Sequence, residues 1–445
     1  MKLILVTRGF PPSICWGSGT YAYDLARGLA QRGHKVDVFA PVRGATSALR
    51  TREHEGIRVF ELPLAPRPLD AFRRDYIDKR QDEALADVLM VHGRYDRVHF
   101  LGLGGDVSMG QVQVAHALSN EVLVTLRDYR LFCDRGRLVD ADLGECEIGP
   151  DPWRCSACVT RGDPFEAVRP GRRVRVGLAK ALAPLGRFMP LPSAPAFARR
   201  ERYVAELIRN VDVFLVPGRT FGERISSLGI PKEKVLCVPP ALDPSRYIGY
   251  ERRPSDGPMR FAFFGRIVPH KGLHTLLAAI ERIEKRMRKK LRVTLHGTTP
   301  TGTFTPYEDW LRQRIAEGHL PVRRPGAFAP TELLDQLADT DVMLVPSLWS
   351  ECAPTSVLHA LACGIPVLGS AVPGLENLIT DGVNGVLVPP HDVNRWTRAM
   401  LDFLTTGLRA QLTTAPYLRK LPCDFVEHLT LLEQNVAGMR DAGQE

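Results

Sequence analysis

The chain has 445 residues, of which 44% are hydrophobic and 24% are charged, and its formal net charge is +9. This composition is ordinary for a globular protein and excludes disordered, collagen-like and disulfide-scaffold classes, while the length fits two large α/β domains. The first apolar run spans four residues, too short for a signal-peptide core, and none reaches the roughly 18 residues of a membrane span, so we expect a cytoplasmic protein with reduced cysteines.

Short apolar runs alternate with stretches of helical period, which is typical of parallel sheets flanked by helices. In the first half the runs are 3–7, 36–40, 59–62, 98–101, 122–126, 213–216 and 235–238. In the second half they are 260–264, 293–296, 342–345, 366–368 and 386–388. The polar linker 249–258 then separates two doubly wound domains, predicted over 1–250 and 258–415, and a helical tail follows over 416–445. An irregular insertion is expected within the first domain, at about 130–202.

Two glycines, Gly17 and Gly19, follow the first predicted strand and precede a helix. Glycines at this place let a ligand or another backbone approach a helix N-terminus closely. Because the spacing is not GxGxxG, a binding loop and a purely structural turn both remain open.

Four cysteines lie close together in the insertion: Cys133, Cys146, Cys155 and Cys158. The last two form a CxxC pair, and four thiolates at such spacing can close a structural zinc site. Because the first two lack a second CxxC, reduced thiols or a redox pair are the alternative.

The positive charge is concentrated in two segments, residues 161–202 with a net charge of +7 and Glu281–Arg292 with +5. This pattern indicates a local anionic partner or solvated surfaces and argues against a nucleic-acid binder. Apolar residues within 187–191 suit peripheral contact with the anionic inner membrane surface or an acidic acceptor, but prolines favour a solvated insertion. We predict that Glu281–Arg292 is the exposed end of a helix.

In the second half, cations and an acid stand where predicted strands end. Arg266 and Lys271 follow Gly265, a position that suits a diphosphate, although two surface cations are the alternative. Glu351 precedes a helix and either caps it or overhangs the carboxyl edge of the sheet. His359 falls one to two turns into that helix, where a packed or surface role is the usual one.

Together, the glycine loop, Gly265-Arg266 with Lys271-Gly272, PSLWSE, HALACGIPVLGS and GLENLITDGVNGVLVPPHD resemble the family 4 glycosyltransferases of GT-B fold. The resemblance implies two Rossmann-like domains facing across a cleft, with the last helix crossing back to the first domain. It also implies sugar transfer from a nucleoside diphosphate sugar with retention at the anomeric carbon, without a metal or other cofactor in catalysis.

By this resemblance, Arg266 and Lys271 contact the donor diphosphate and Glu351 contacts the donor sugar as the first acid of the E-x7-E signature. Gly17 and Gly19 match the loop near the phosphate and the acceptor. Further residues expected around the nucleotide are Gly265, Gly326, Phe328, Ser356 and His359.

Two positions depart from the family pattern. His359 stands where the second Glu of the signature is usual, and a neutral imidazole offers one acceptor where a carboxylate offers several. Weaker ribose recognition, a deoxyribose donor and a lost donor site all remain open. Arg127-Asp128 replaces a frequent His-Asp pair, so Arg127 either faces an anionic sugar or is held by Asp128.

On the acceptor side, His99 and His116 could take a proton or bind a sugar hydroxyl, although each alone is more often structural. The acceptor is expected to be a cell-envelope glycan, a glycolipid or a secondary metabolite. A non-catalytic or regulatory relative with a decayed donor site, a GT-B phosphorylase and a sugar-nucleotide epimerase are the alternatives.

Overall fold

The computed structural model describes residues 1–12, 18–44, 48–64, 76–104, 107–147, 149–161, 165, 194–253, 255–300, 304–329, 332–352, 354–412 and 425–442. The chain divides into two compact units. The first contains Met1–Gly136, Pro195–Pro239 and Phe425–Glu445, and the second contains Arg137–Ala194 and Pro240–Asp424.

The described part of the first unit contains an eight-stranded sheet in the order β3-β4-β2-β1-β5-β6-β7-β8. Its strands are β1 (Lys2–Val6), β2 (Lys35–Arg43), β3 (Arg50–His54), β4 (Ile57–Leu64), β5 (Arg97–Phe100), β6 (Val122–Thr125), β7 (Val213–Val216) and β8 (Val235–Cys237). The edge strand β3 pairs antiparallel with β4, and the other neighbours pair in parallel. Buried β1 residues pair with β2 and β5 on either side, so β1 lies in the middle of the sheet.

Helices pack on this sheet: α1 (Ser18–Gln31), α2 (Lys79–Val91), α3 (Gln111–Leu118), α5 (Ala194–Asn210), α6 (Arg219–Ser227) and α14 (Phe425–Ala442). Although α14 is far along the chain, Leu429 and Leu432 belong to the core that α1 forms with β1 and β2. Gly28 in α1 makes room for it, because a Cβ there would lie 2.8 Å from Leu429 Cδ1. The last helix is therefore a structural part of the first unit.

The second unit contains, among its described residues, a six-stranded parallel sheet in the order β11-β10-β9-β12-β13-β14. Its strands are β9 (Met259–Phe264), β10 (Leu291–His296), β11 (Val322–Gly326), β12 (Val342–Val345), β13 (Val367–Ser370) and β14 (Gly385–Val388). Its helices are α4 (Pro152–Arg161), α7 (Leu273–Arg282), α8 (Lys285–Arg288), α9 (Thr305–Glu317), α10 (Leu333–Ala338), α11 (Thr355–Ala362), α12 (Val393–Thr405) and α13 (Leu408–Leu412).

The central strand β9 shows that the second sheet is covered on both faces. Phe261 and Phe263 pack into one core with α7, α9 and α12, whereas Ala262 and Phe264 pack into another with α10 and α11. Alternation between two apolar cores is typical of a parallel sheet between helix layers. The predicted α/β class with two Rossmann-like sheets is confirmed.

The division into units differs from the predicted domains. The boundary lies at Pro239 and Pro240, and Arg137–Ala194 joins the second unit, although we predicted the whole insertion in the first domain. The physical reason is packing, since Val139 and Leu143 form a small core with Leu348.

The basic segments also differ from expectation or lie outside the described residues. Glu281–Arg292 is not one helix end, because α7 ends at Arg282, α8 follows, and Arg292 lies in β10. Residues 166–193, which include the apolar stretch predicted for membrane contact, lie outside the described part of the chain. Within the described part, no helix combines the length and the apolar character that a membrane crossing requires.

Candidate active site

The loop after β9 brings Lys271 to the carboxyl edge of the second sheet. A 3₁₀ turn, Pro269–Lys271, leads to Gly272, whose φ of +71° ends the turn and starts α7. A Cβ at Gly272 would lie only 1.8 Å from the Pro346 carbonyl oxygen. Glycine is thus required here, because the Lys271 turn rests directly on the backbone that follows β12.

Glu351 lies in the loop after β12 and is 4% exposed. Its Oε1 atom accepts hydrogen bonds from the Lys271 ammonium, the Ser347 hydroxyl and, at 2.8 Å, the Trp349 Nε1. The backbone at Gly374 packs closely against this loop, since a Cβ at Gly374 would lie 1.5 Å from the Glu351 carbonyl oxygen. In the described chain all recorded bonds to this carboxylate use Oε1, which leaves Oε2 for a ligand.

The partners of Glu351 also hold Lys271. The Lys271 ammonium lies 5.4 Å from the centre of the Trp349 ring, within the range of a cation–π contact. Its side chain is 16% exposed, so the charge is largely withdrawn from water but balanced by Glu351. A paired, hydrogen-bonded charge at a sheet edge is pre-organised, because its position costs little further reorganisation when an anion arrives.

His270 supports this arrangement from the side of the insertion. Its imidazole packs edge-on against Trp349, with ring centroids 5.7 Å apart, and its backbone carbonyl accepts the Leu348 N–H at 2.9 Å. Its Nδ1 accepts a hydrogen bond from the Arg137 guanidinium. Arg137, His270, Ser347 and Trp349 were not predicted as site residues, although PSLWSE contains two of them.

Three glycines mark the ends of β9, β10 and β11. A Cβ at Gly297 would lie 1.9 Å from the Gly265 carbonyl oxygen, and both residues have positive φ, as does Gly326 at +97°. Gly297 also donates its N–H to the Gly326 carbonyl at 2.8 Å. The predicted residues Gly265 and Gly326 thus lie on either side of Gly297 at neighbouring strand ends, and the backbone at Gly326 is open, since a Cβ there would meet nothing within 4 Å.

A small aromatic cluster stands beside these glycines. Phe264 stacks on His296 at 4.7 Å between ring centroids, and Phe328 meets both rings edge-on at 5.7 and 5.8 Å. Burial lowers the pKa of His296 to about 4, so this ring is neutral near pH 7. Phe328 is only half-buried, and part of its surface remains available next to Gly326.

The other predicted residues of the second unit lie in the loop after β9 and in α11. Arg266 follows Gly265 and is exposed, and Ser356 is half-buried as the second residue of α11. His359 lies in α11 and shares a hydrogen bond between its Nδ1 and the Tyr247 hydroxyl. Burial, with Arg246 as the lesser cause, lowers the pKa of His359 to about 4, so the ring is neutral.

In the first unit, Arg127 and Asp128 follow β6 but have different neighbours. The Arg127 guanidinium lies 4.9 Å from the centre of the Tyr21 ring. Asp128 forms ion pairs with Arg8 at 3.8 Å and Arg130 at 3.4 Å. Asp128 therefore pairs with Arg8 and Arg130, and the Arg127 guanidinium is oriented by the ring of Tyr21.

The remaining candidates of the first unit divide between surface and core. Gly19 is buried as the second residue of α1, and Gly17 lies outside the described residues. His116 is exposed on α3. His99 is 3% exposed within β5 and pairs with the Thr125 hydroxyl at 2.7 Å, and burial lowers its pKa to about 3. These surroundings are those of a packed strand residue.

The four cysteines of the predicted zinc site are all half-buried. Within the described ranges, no three His, Cys, Asp or Glu side chains are grouped so that they could hold a metal ion. The structure therefore does not bring Cys133, Cys146, Cys155 and Cys158 together as a set of ligands.

Two family models match the chain. The model described as "Glycosyl transferase 4-like domain" covers residues 17–241, and the one described as "Glycosyl transferases group 1" covers 258–406. The chain belongs to the family 4 glycosyltransferases of GT-B fold. The first match lies mostly in the first unit, and the second spans the loops that carry Lys271, Glu351 and Gly326.

Individual glycosyltransferases resemble the chain over nearly its whole length. Glycogen synthase of Mycobacterium tuberculosis is 24% identical over 434 residues, which cover 96% of this chain and 91% of the relative. Sucrose-phosphate synthase of Thermosynechococcus elongatus has a TM-score of 0.67 at 18% identity, covering 99% of each chain. HepE of Anabaena, solved in complex with UDP-glucose, has a TM-score of 0.63 at 15% identity, covering 99% of this chain and 100% of its own.

For this family 4 glycosyltransferase, the departures from the signature now have a structural setting. Among the described residues, the imidazole of His359 makes one hydrogen bond, through Nδ1, so Nε2 is left for a ligand. A single nitrogen can bind one hydroxyl, whereas the usual carboxylate can bind two at once.

Proposed function

We propose that the protein transfers a sugar from a nucleoside diphosphate sugar to a hydroxyl acceptor, with retention at the anomeric carbon. The observation that carries the proposal is the Lys271–Glu351 pair, buried at the carboxyl edge of the second sheet with Ser347 and Trp349 as further partners. Ligands of open α/β sheets bind at this edge. Retention rests on the family resemblance.

The proposed chemistry is stabilisation of the leaving group. As the bond between the anomeric carbon and the diphosphate oxygen breaks, the nucleoside diphosphate gathers negative charge, and the acceptor oxygen bonds to the carbon and gives its proton to the departing phosphate oxygen. Lys271 and Arg266 would receive the developing charge on the phosphates. Removing one such fixed donor typically costs roughly 3 kcal/mol of transition-state stabilisation.

Glu351 would have two tasks, one for each oxygen. Oε1 fixes Lys271, and Oε2 would accept a hydrogen bond from a hydroxyl of the donor sugar. A sugar held in this way keeps its anomeric carbon aligned with the phosphate that Lys271 binds. The carboxylate is thus proposed as a positioning group as well as a binding group.

The strand-end glycines and the aromatic cluster would receive the base and ribose. Gly326 leaves open backbone, Gly265 would contact the donor at the neighbouring strand end, Phe328 would flank the base, and His359 Nε2 would bind one ribose hydroxyl. The UDP-glucose complex of HepE supports a nucleotide-sugar donor. Ser356 is proposed to contact the donor from the first turn of α11.

Arg127 is proposed to bind a negatively charged group of the donor or acceptor sugar, because its planar guanidinium is already oriented by the Tyr21 ring. A cell-envelope glycan, a glycolipid and a secondary metabolite are the acceptor classes we propose. No resident cofactor is proposed for the reaction.

The test is a panel of UDP-, GDP-, ADP- and deoxythymidine diphosphate sugars, measured by thermal shift and then by transfer. We expect one donor to raise the melting temperature of the wild-type protein, and Lys271→Ala to lower turnover by about 10²-fold or more. Lys289→Ala, at an exposed lysine, is the matched control and should transfer normally.

The alternatives give different results in this experiment. A decayed donor site would bind no nucleotide at millimolar concentration, and a phosphorylase would act with free phosphate and no nucleotide. Equal turnover of Lys271→Ala and the wild type would contradict the proposed role of the pair. The anomeric configuration of the product, read by NMR, decides retention.

A further inference from the structure

A groove of about 730 Å³ opens on one face of the second sheet, away from the Lys271–Glu351 pair. Residues from β9, β10 and β11 form its floor, and α10 and the chain before β9 line its sides. Its volume is within the range of small-molecule sites. At its carboxyl end the groove includes His296, which also belongs to the aromatic cluster proposed to receive the base. The remainder of the groove has no part in the roles proposed above.

The groove exists because no helix among the described residues covers one face of β10. Leu291, Val293 and Leu295 point into the core beneath α7 and α9, while the alternate residues of LRVTLH line the groove. Helix α10 has six residues, and its Leu337 packs with Ala262 and Met343 over β9 and β12. A helix about 9 Å long cannot also cover two further strands spaced about 4.8 Å apart.

Five arginines line the groove: Arg253, Arg260, Arg292, Arg323 and Arg324. Arg324 is paired with Glu308 at 2.5 Å. Arg260 and Arg292 are directly paired in the register of β9 and β10, and Arg323 is paired with Thr294 on the same face. Like charges opposite one another on neighbouring strands are destabilising. Such a placement calls for negative charge in the groove.

The protein supplies only part of that negative charge. Arg253 pairs with Asp335 and Asp339, and Arg260 pairs with Asp339 and Asp341. Arg292 and Arg323 are exposed, and within the described ranges neither has a carboxylate partner. Two guanidinium groups are therefore available to an anion from solution.

We infer that the end of this groove formed by Arg292 and Arg323 binds a phosphate-bearing small molecule with at least two negative charges, separately from the Lys271–Glu351 pair. Guanidinium forks bind phosphate oxygens in pairs, which suits Arg292 and Arg323. These arginines stand near the amino ends of their strands, whereas Lys271 and Glu351 follow carboxyl ends. Along β10 alone, Arg292 and His296 are about 13 Å apart.

The test is calorimetric titration with inorganic pyrophosphate in a Lys271→Ala background, which removes the proposed donor contact. We expect this protein still to bind pyrophosphate, and the added Arg292→Ala and Arg323→Ala changes to weaken binding at least tenfold. The matched control adds Arg395→Ala and Arg398→Ala, which remove two charges from exposed side chains of α12. Binding by the control should stay within twofold.

Several results would overturn the inference without touching the proposed function. Loss of all pyrophosphate binding in Lys271→Ala would place the anion at the donor site alone. If the Arg395→Ala and Arg398→Ala control weakens pyrophosphate binding equally, the effect of changing Arg292 and Arg323 comes from the lower net charge alone. Phosphatidylglycerol vesicles form a second arm: if Arg292→Ala with Arg323→Ala loses vesicle binding but keeps pyrophosphate binding, the surface contacts lipid and the groove is not the site. Circular dichroism verifies that each variant is folded.

Discussion

At the scale of single residues, the sequence predicts Lys271 and Glu351 as site residues but does not predict that their side chains pair with each other. Their motifs are separate in the chain, and each alone allowed a surface or capping role. Ser347 and Trp349 lie within four residues of Glu351, yet their convergence on one carboxylate oxygen depends on the turn of the loop. Arg137 is 133 residues from His270, so no local pattern could have predicted that contact.

The first prediction concerns Glu351→Gln. The amide keeps an acceptor but removes the charge that balances Lys271, whose side chain is 16% exposed. The Lys271 ammonium would then be largely shielded from water without a carboxylate partner, so we expect the free energy of unfolding to fall by about 1–3 kcal/mol. Turnover should fall by about 10²-fold, because both the proposed contact with the donor sugar and the position of Lys271 change.

Urea unfolding and transfer kinetics measure these two effects separately. Glu376→Gln, at an exposed glutamate in the same unit, is the control and should change neither. Unaltered stability together with unaltered turnover in Glu351→Gln would show that the carboxylate is not the organising group.

At the scale of secondary structure, the two strands that the sequence missed, β3 and β11, are edge strands, whereas the other two edge strands, β8 and β14, contain apolar runs and were predicted. β3 reads RTREH and β11 reads VRRPG, so neither contains an apolar run. An edge strand has only one neighbour and a solvent-facing side, and its charged residues carry no strand signal. The missed strand β11 carries Arg323 and Gly326, which is why the groove could not be predicted.

The second prediction concerns the packing of α14 on α1. The side chains of Leu429 and Phe425 occupy the space beside Gly28. A Cβ at Gly28 would lie 2.8 Å from Leu429 Cδ1 and 2.8 Å from Phe425 Cε1. A larger side chain must displace both, and overpacking of this kind costs about 1–3 kcal/mol. We expect Gly28→Leu to lower the free energy of unfolding by that amount and to speed amide hydrogen exchange in α14.

The control for this change lies two residues further along the same helix. Ala30 is exposed, so Ala30→Leu adds the same side chain without meeting α14. Equal amide protection of α14 in Gly28→Leu and the wild type would contradict the proposed packing.

At the scale of the whole molecule, the sequence predicts two α/β units but not the membership of the insertion. Arg137 binds His270, Val139 and Leu143 pack with Leu348, and the Phe165 ring lies 4.9 Å from the Tyr307 ring. All these contacts are with the second unit, although the segment follows a strand of the first. A segment that follows a strand of one unit can pack into the core of the other, and this membership is visible only in the three-dimensional contacts.

The third prediction concerns acid stability. Burial lowers the pKa of six histidines, one of which is His92. In the other five the pKa falls to about 4 or below: His99, His274, His296, His359 and His428. In the unfolded chain these rings take up protons near pH 6.5, whereas the folded protein resists protonation until about pH 4. The unfolded state binds more protons between these values, so stability falls as the pH is lowered through this window. Burial raises the pKa of Asp82 to about 6, which acts in the opposite direction.

His428 offers the sharpest test of this dependence. Because the ring is neutral and its Nδ1 lies 2.9 Å from the Pro239 carbonyl, Nδ1 donates there and Nε2 accepts from the Tyr21 hydroxyl at 2.8 Å. A proton on Nε2 would remove that acceptor. We expect His428→Gln to flatten the fall in the free energy of unfolding between about pH 6.5 and pH 4 by on the order of 1–3 kcal/mol. Urea titrations across this range measure it, with His116→Gln at an exposed histidine as the control; identical slopes in the two variants would rule out His428 as a source of the acid sensitivity.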